Sequence, residues 1–543
     1  MRLARKILLG CGVVALGAFA GAVAGQRTQA DATRSDEFLR RYTEVLSLVL
    51  EHAPVPVAAD ELVYSSLDGM LEVLDPHTNF LRPEYFTQMR ERQQGSFHGI
   101  GVIISIRGGR ITVISPIEGT PAARLGLRPG DVIETVDGES TEGLDIDDVA
   151  RRLRGPEGTT VKVTISRPGL SEPIALTIER ARVPTDSVRY AFLIKPDTAY
   201  IRVSDFTRTT GDEARRALDT LQKQGATRLL LDLRDNPGGI VDSAVEVSGL
   251  LLKGEQQVFA TKGRTADSFQ DYRVRRDGLH FEGPVVVLVN RGSASAAEIV
   301  AGAVQDHDRG LVVGETTFGK GVVQTIYPVR DAALALTTAK YYTPSGRCIQ
   351  RDFGSFFDYV HPDAPETGET ENRPTPPPSG DVYFTDAGRK VYGGGGIVPD
   401  HETHLAEYSE RLARLVGSSA FFRFAVSELA DIPDKGARAR SFVVDDAALT
   451  RFRDLVVGEK WLKGEEIDAA LGNATDRRDI STALKGEMLN VGATLIDGYK
   501  AFTDADQQIQ AALGLFDEAA RLYARVHSAP STETTAAGAL TTR

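Results

Sequence analysis

A chain of 543 residues, 41% hydrophobic and 25% charged, is long enough for three or four domains and too apolar to be disordered throughout. Its net charge of -12 excludes nucleic acid as the main partner, because phosphate binding needs a basic face. Of its 2 cysteines only Cys348 lies beyond the amino-terminal segment, so the body of the chain can form no internal disulfide, and no histidine stands near Cys348 to make it a catalytic thiol.

Residues 1–25 read as a signal peptide or membrane anchor. Arg2, Arg5 and Lys6 precede an uncharged apolar run from Ile7 to Ala24, the pattern of an export signal. Ala22-Val23-Ala24 suits cleavage, while a run of about 18 residues also suits a retained span. Leu8-Leu9-Gly10-Cys11 would suit a lipoprotein, but the apolar run continues well past Cys11. Each reading takes the rest of the chain out of the cytoplasm, which in a bacterium means a periplasm, soluble or anchored to the inner membrane.

Residues 31–93 read as helical, with Phe38, Leu39, Tyr42, Val45, Leu46 and Val49 at helical spacing and a second helix closed by Asp75-Pro76. Residues 94–182 switch to short strands and glycine turns, with strands at Ile103–Ile106, Ile111–Ile114, Thr160–Ser166 and Ile174–Ile178 and a helix over Asp145–Leu153. Residues 183–404 alternate strands and helices, including the apolar strands Leu229–Leu233 and Val285–Val289, which predicts an α/β core. Residues 354–380 read as a long surface loop, 405–527 as mostly helical and 528–543 as a disordered tail. The expected fold class is multidomain α+β.

Hydrolysis of a peptide carbonyl needs a nucleophile, a base and an oxyanion site. Asn290-Arg291-Gly292-Ser293-Ala294-Ser295-Ala296 places two serines at a strand-to-helix junction, where the first N–H groups of the helix lack internal partners. The Ala296 N–H and the turn at Gly238-Gly239 are candidate oxyanion donors. Taken alone, such a serine is usually an N-cap. Lys320, set between glycines and ahead of two valines, sits where burial would lower an ammonium pKa, and Gln324 alternates to the same strand face. A Ser–Lys pair is one variant of the triad. Two rivals are weaker. Gly314–Gly321 lacks the Ser/Thr and the following helix of a phosphate loop, and His307 between Asp306 and Asp308 reads as a solvated charged turn. His401 and His404, three apart on an expected helix, gain no third ligand for a metal.

LDPHTNF (74–80), GIGVII to GLRPGDVI (99–133), LRGPEG (153–158), DLRDNPGG (232–239), NRGSASAAEI (290–299), GETTFGKGVVQ (314–324), KYYTPSGRCIQ (340–350) and GGGGIVPD (393–400) occur in this order. In these stretches, over about residues 35–405, the chain resembles the carboxyl-terminal processing, or tail-specific, proteases. The resemblance implies a PDZ-like domain at 94–182, inserted ahead of a serine protease core, with Ser295 as nucleophile, Lys320 as base and Gln324 assisting. Ser293 would be structural, a choice the residues alone leave open. Oxyanion donors would be the backbone of Ala296 and of Gly238 or Gly239. Ala297, where the family often has serine, is a small departure. Gly99, Ile100, Gly101 and Val102 would bind a terminal carboxylate as the peptide adds to a sheet edge, and Arg154 would couple the PDZ domain to the protease centre. Implied partners are proteins with exposed apolar C-termini, with a homo-oligomer or an activating adaptor compatible, and no cofactor or metal. The alternatives are a partner-gated regulatory protease and a PDZ scaffold that binds tails without cutting them.

Overall fold

The computed structural model describes residues 36–352, 381–404 and 407–528; the signal or anchor at 1–25, the loop at 354–380 and the tail beyond Ser528 lie outside the described residues. Among those described, no helix is long and apolar enough to cross a membrane. The chain divides into two units, Met1–Pro83 with Ile326–Leu336, and the remainder.

In the first unit, helix α1 (36–52) meets helix α2 (Ala59–Glu72) through Tyr42 Oη and Ser66 Oγ, 2.7 Å apart. Past α2 the Asp75 carboxylate accepts from the N–H groups of His77 and Thr78 at 2.8 and 2.9 Å. That local turn explains why the helix cannot continue through Asp75-Pro76. Strand β1 (Asn79–Leu81) then pairs antiparallel with residues 333–335.

The second unit opens within helix α3 (Pro83–Gln94), followed by β2 (Ser96–Gly99). The expected PDZ-like domain comes next: β3 (Val102–Arg107), β4 (Arg110–Pro116), α4 (Pro121–Arg124), β5 (Val132–Val136), β6 (Glu139–Ser140), α5 (Ile146–Leu153), β7 (Thr160–Ser166) and β8 (Ile174–Glu179). The main sheet runs β3-β4-β5-β7-β8, so β3 is an edge strand. Alternate residues of β7 (Val161, Val163, Ile165) are buried against Val149 and Leu153 of α5, whose N-cap Asp145 accepts from the Asp148 N–H. Strand β9 (Ala181–Pro184) returns antiparallel beside β2, and this ribbon joins the domain to the core.

The core begins with β10 (Tyr190–Lys195), β11 (Thr198–Arg202), helix α6 (Thr210–Lys223), β12 (Arg228–Asp232) and helix α7 (Val241–Gly249). It continues with β13 (Gln257–Gly263), β14 (Gln270–Arg273), β15 (Val285–Val289), helix α8 (Ala296–Asp306) and β16 (Leu311–Gly314). Then come β17 (Val322–Val329), β18 (Ala332–Tyr342), β19 (Val382–Phe384), β20 (Lys390–Tyr392) and β21 (His401–Glu402). The central sheet runs β10-β11-β12-β15-β16-β21, parallel from β11 onward. Leu229 and Leu231 face helices α6 to α8 on one side, while Leu230, Val286 and Leu288 face the other. Both faces are covered, so these strands read as unbroken apolar runs, each buried Leu or Val contributing about 1.5–3 kcal/mol. Strict alternation fails after Gly310. Strands β16 to β18 follow without a helix, because β18 pairs antiparallel with β13 in a second sheet.

After β21, helices α9–α14 (residues 410–492) pack mostly on one another around Phe421, Phe424, Phe452 and Leu484. Helices α15 (Leu495–Thr503), α16 (Gln507–Leu513) and α17 (Phe516–Ser528) return to the core, where Ile509, Ala512, Phe516 and Ala519 cover the second face of the central sheet. His401 lies in β21, not on a helix with His404, because the chain there extends beside Val313.

Candidate active site

Strands β12, β15 and β16 are neighbours and parallel, so the loops that follow them emerge at one edge of the central sheet. In open α/β sheets that carboxyl edge is where ligands bind. The three loops are the turn at 233–239, the serine turn at 290–295 and the lysine loop at 315–321.

The first two loops are stitched together by backbone and amide groups. The Asn290 side chain accepts from the Asp235 N–H at 2.8 Å and donates to the Asp235 carboxylate at 2.8 Å, and the Ala294 N–H donates to the Asn236 carbonyl at 2.9 Å. Ser293 is fully buried. Its hydroxyl donates to the Leu233 carbonyl at 2.8 Å and accepts from the Asn290 N–H at 3.0 Å. Ser295 instead is half-buried, with φ 53° and ψ −112°. An ordinary N-cap residue is extended, so this left-handed backbone sets Ser295 apart from a plain cap. Of the two serines, one is used up in holding the turn and the other is presented.

Gly238 sits directly beside Ser295. With φ 98° it adopts a conformation that favours glycine, and a Cβ there would lie 2.8 Å from Ser295 Cβ and 2.9 Å from the Ala296 nitrogen. Its N–H donates to Asn236 Oδ1 at 2.9 Å, whereas Gly239 follows in the same turn beside Phe206. Ala296 is the first residue of α8, where an N–H has no partner within its helix.

The serine and lysine loops meet on Glu298, a residue that the motifs did not single out. It is completely buried, one turn into α8. Its Oε2 accepts from the Ser295 N–H at 2.8 Å and from the Lys320 N–H at 2.9 Å. Its Oε1 accepts from the Gly319 N–H at 2.7 Å and the Thr317 hydroxyl at 2.5 Å. Burial pushes this carboxyl above its ordinary range while the four donors pull it back. The spacing Ser295-x-x-Glu298 is that of a capping box, a signal present in the sequence. Lys320 is half-buried, and its Nζ donates to Gln324 Oε1 at 2.7 Å. Gly321 beside it allows a close approach, since a Cβ would stand 2.7 Å from the Gln350 nitrogen.

The rivals do not survive the geometry. The lysine loop runs into strand β17, where a phosphate loop needs a helix. His307 caps the far end of the 11-residue helix α8, about 18 Å along the axis from Ser295. Nor is it solvated. Its Nδ1 lies 2.8 Å from Asp386 and its Nε2 2.7 Å from the Gln257 carbonyl, while Asp306 and Asp308 are taken by Arg347 and Arg389.

In the expected PDZ-like domain, the Gly99–Val102 stretch leads into the edge strand β3 beside α5. The Ile100 carbonyl accepts from the Ala122 N–H at 2.8 Å, and the Gly101 carbonyl from the Ile117 N–H at 3.0 Å and the Thr120 hydroxyl at 2.9 Å. Arg154, the C-cap of α5, lies 3.7 Å from the Glu91 carboxylate of α3 and 4.7 Å over the Phe97 ring of β2. It therefore stands at the base of the PDZ domain.

Two family models match the chain, "Peptidase family S41" over residues 197–365 and "PDZ domain" over residues 112–167. A carboxy-terminal-processing protease of Bartonella bacilliformis is 40% identical over 296 residues, 53% of this chain and 67% of that protein. A carboxyl-terminal-processing protease of Synechocystis is 36% identical over 304 residues, 54% of this chain and 70% of that protein. Among solved structures, a photosystem II D1 C-terminal processing protease is 32% identical, over 57% of this chain and 84% of that one, with a TM-score of 0.33. The PDZ domain of a carboxy-terminal protease from Vibrio cholerae, in complex with a peptide, is 30% identical over 16% of this chain and 97% of that one, with a TM-score of 0.16. The chain belongs to peptidase family S41, as a carboxyl-terminal processing serine protease with a PDZ domain.

Proposed function

We propose that this protease cuts exported proteins with exposed apolar C-termini, using Ser295 as nucleophile and Lys320 as base. One observation carries the reading: a single carboxylate oxygen, Glu298 Oε2, accepts from the backbone N–H of both Ser295 and Lys320, and so fixes the two loops together. Neutral Lys320 Nζ takes the Ser295 hydroxyl proton as Oγ bonds to the scissile carbonyl carbon. The Gln324 amide oxygen orients that amine. The developing oxyanion is met by the N–H of Ala296 and, because the Gly238 N–H is engaged by Asn236, by that of Gly239. The lysine ammonium then protonates the leaving nitrogen, the C–N bond breaks and an ester remains on Ser295. Water, losing its proton to Lys320, hydrolyses the ester and restores the hydroxyl.

Substrate tails would add as a strand to the β3 edge, their carboxylate on the Gly99–Val102 loop. Arg154 would report that occupancy through Glu91 and Phe97. Export rests on the basic-then-apolar run at residues 2–24; fractionation and the mass of the mature protein test it.

Cleavage of an unfolded model protein by purified enzyme starting at Asp31 tests the dyad. Ser295→Ala and Lys320→Ala should each lower the rate by about a thousandfold or more, as members of one catalytic unit do. Retained activity in both would send the search to another nucleophile.

A further inference from the structure

The turn at 233–239 is built on Arg234, and two of the three side chains that hold its guanidinium come from the far end of the chain. The guanidinium side chain is 4% exposed. Its Nη2 donates to Asp232 Oδ2 at 2.6 Å, while Nη1 donates to Asp506 Oδ2 at 2.8 Å and Gln508 Oε1 at 2.9 Å. A buried cation is stable only when paired and hydrogen-bonded, so its position follows its acceptors. The Gln508 amide is itself fixed, fully buried with Nε2 donating to the Thr403 carbonyl at 2.8 Å. A second tie runs alongside. Arg202 donates to Tyr499 Oη at 2.7 Å and to Asp235 Oδ2 at 3.2 Å, and Tyr499 Oη lies 2.9 Å from Tyr200 Oη, whose own proton goes to Asp232.

From Arg234 the coupling passes along the turn. Asp235 is locked to Asn290, Asn236 accepts from the Ala294 N–H and orients Gly238, and Gly238 stands against Ser295. The matching peptidase model ends at residue 365, well short of Tyr499, Asp506 and Gln508. We infer that these three are positioning residues: the C-terminal helical region sets the oxyanion donors through Arg234 and Arg202, and the catalytic centre is incomplete without it. The inference rests on the proposed oxyanion turn.

Asp506 is also the N-cap of α16, its Oδ1 accepting from the Ile509 N–H at 3.0 Å. Asn caps about as well as Asp, so Asp506→Asn removes the charge from Arg234 and keeps the cap. Asp445→Asn makes the same change at another N-cap in the helical region, over the Ala448 N–H, and serves as control. The measurement is kcat and KM on one tail-bearing peptide for the full chain, with Ser295→Ala alongside. Asp506→Asn and Gln508→Ala should each lower kcat by about ten- to a hundredfold with KM within about twofold, Asp506→Glu should recover part of the rate, and Asp445→Asn should match the parent. Cleavage by Ser295→Ala at the parent's rate would overturn the dyad itself. An inactive Ser295→Ala beside an unchanged Asp506→Asn would overturn the positioning role alone. An equal loss in Asp445→Asn would assign the effect to the stability of the helices, and also overturn it.

Discussion

Single residues at the centre are constrained more tightly than their chemistry alone requires. Gly238 is a clear case, since any side chain would press on Ser295 and the Ala296 nitrogen from a left-handed backbone. Gly238→Ala should lower kcat by about a hundredfold or more while the affinity for tail peptides, measured by fluorescence titration, stays within about twofold. Glu298 is constrained from the opposite side, as one acceptor serving four donors. Glu298→Gln exchanges one oxygen for a donor, leaving buried N–H groups unmet at about 1–3 kcal/mol each. Activity should fall by about two orders of magnitude and the melting midpoint should drop, both read on the same preparation. The roles proposed for Ser295, Lys320 and Gln324 came from motif order. Glu298 was within reach of the sequence, three residues after Ser295, but a carboxylate in a first helical turn is common enough to pass as a cap. Asp506 and Gln508 were out of reach, because one sequence does not reveal which distant carboxylate and amide meet a buried arginine.

Elements were more legible than their pairings. The strands Thr160–Ser166 and Val285–Val289 were placed to the residue, since β-branched runs between turns admit few other readings. The antiparallel sheet of β13, β14 and β18 was missed because β18, whose Tyr342 pairs with Ala260, lies far from β13 in the chain. His307 was read as solvated for the same reason, its acceptors Gln257 and Asp386 being remote in sequence. Helix α8, strand β13 and the β19–β20 hairpin meet on that ring, which gives a pH test. Burial opposes the charged imidazole, but Asp386, the Gln257 carbonyl and Asp306 outweigh it, so the folded pKa lies above the ordinary 6.5. The stabilisation is therefore complete below pH 6.5 and lost as pH rises through the higher folded value. The melting midpoint of His307→Gln should fall below the parent's at about pH 5.5 and approach it by about pH 8.5.

Across the second unit, the PDZ domain is held at two places. One is the β2–β9 ribbon with Arg154 at its base. The other lies against the helical region, where Arg107 Nη1 donates to Ser419 Oγ at 2.6 Å, its guanidinium stands 5.7 Å over the Phe422 ring, and a Cβ on Gly130 would be 2.8 Å from Val426. Arg107→Ala should loosen this second hold by about 1–2 kcal/mol, seen as faster amide hydrogen exchange over residues 419–426 with the core strands unchanged. The sequence separated the PDZ domain, the core and the helical region, but not the return of α16 and α17 to the central sheet, which depends on which apolar faces meet. That return carries a consequence in time. Ribosomes deliver the chain from its amino end, so Ser295 and Lys320 exist for seconds before Asp506 and Gln508 arrive to fix Arg234. On the proposed roles, a half-made chain would thus hold the reactive pair without a set oxyanion site, and the order of synthesis itself would keep a new protease from cutting its neighbours until its last helices are in place.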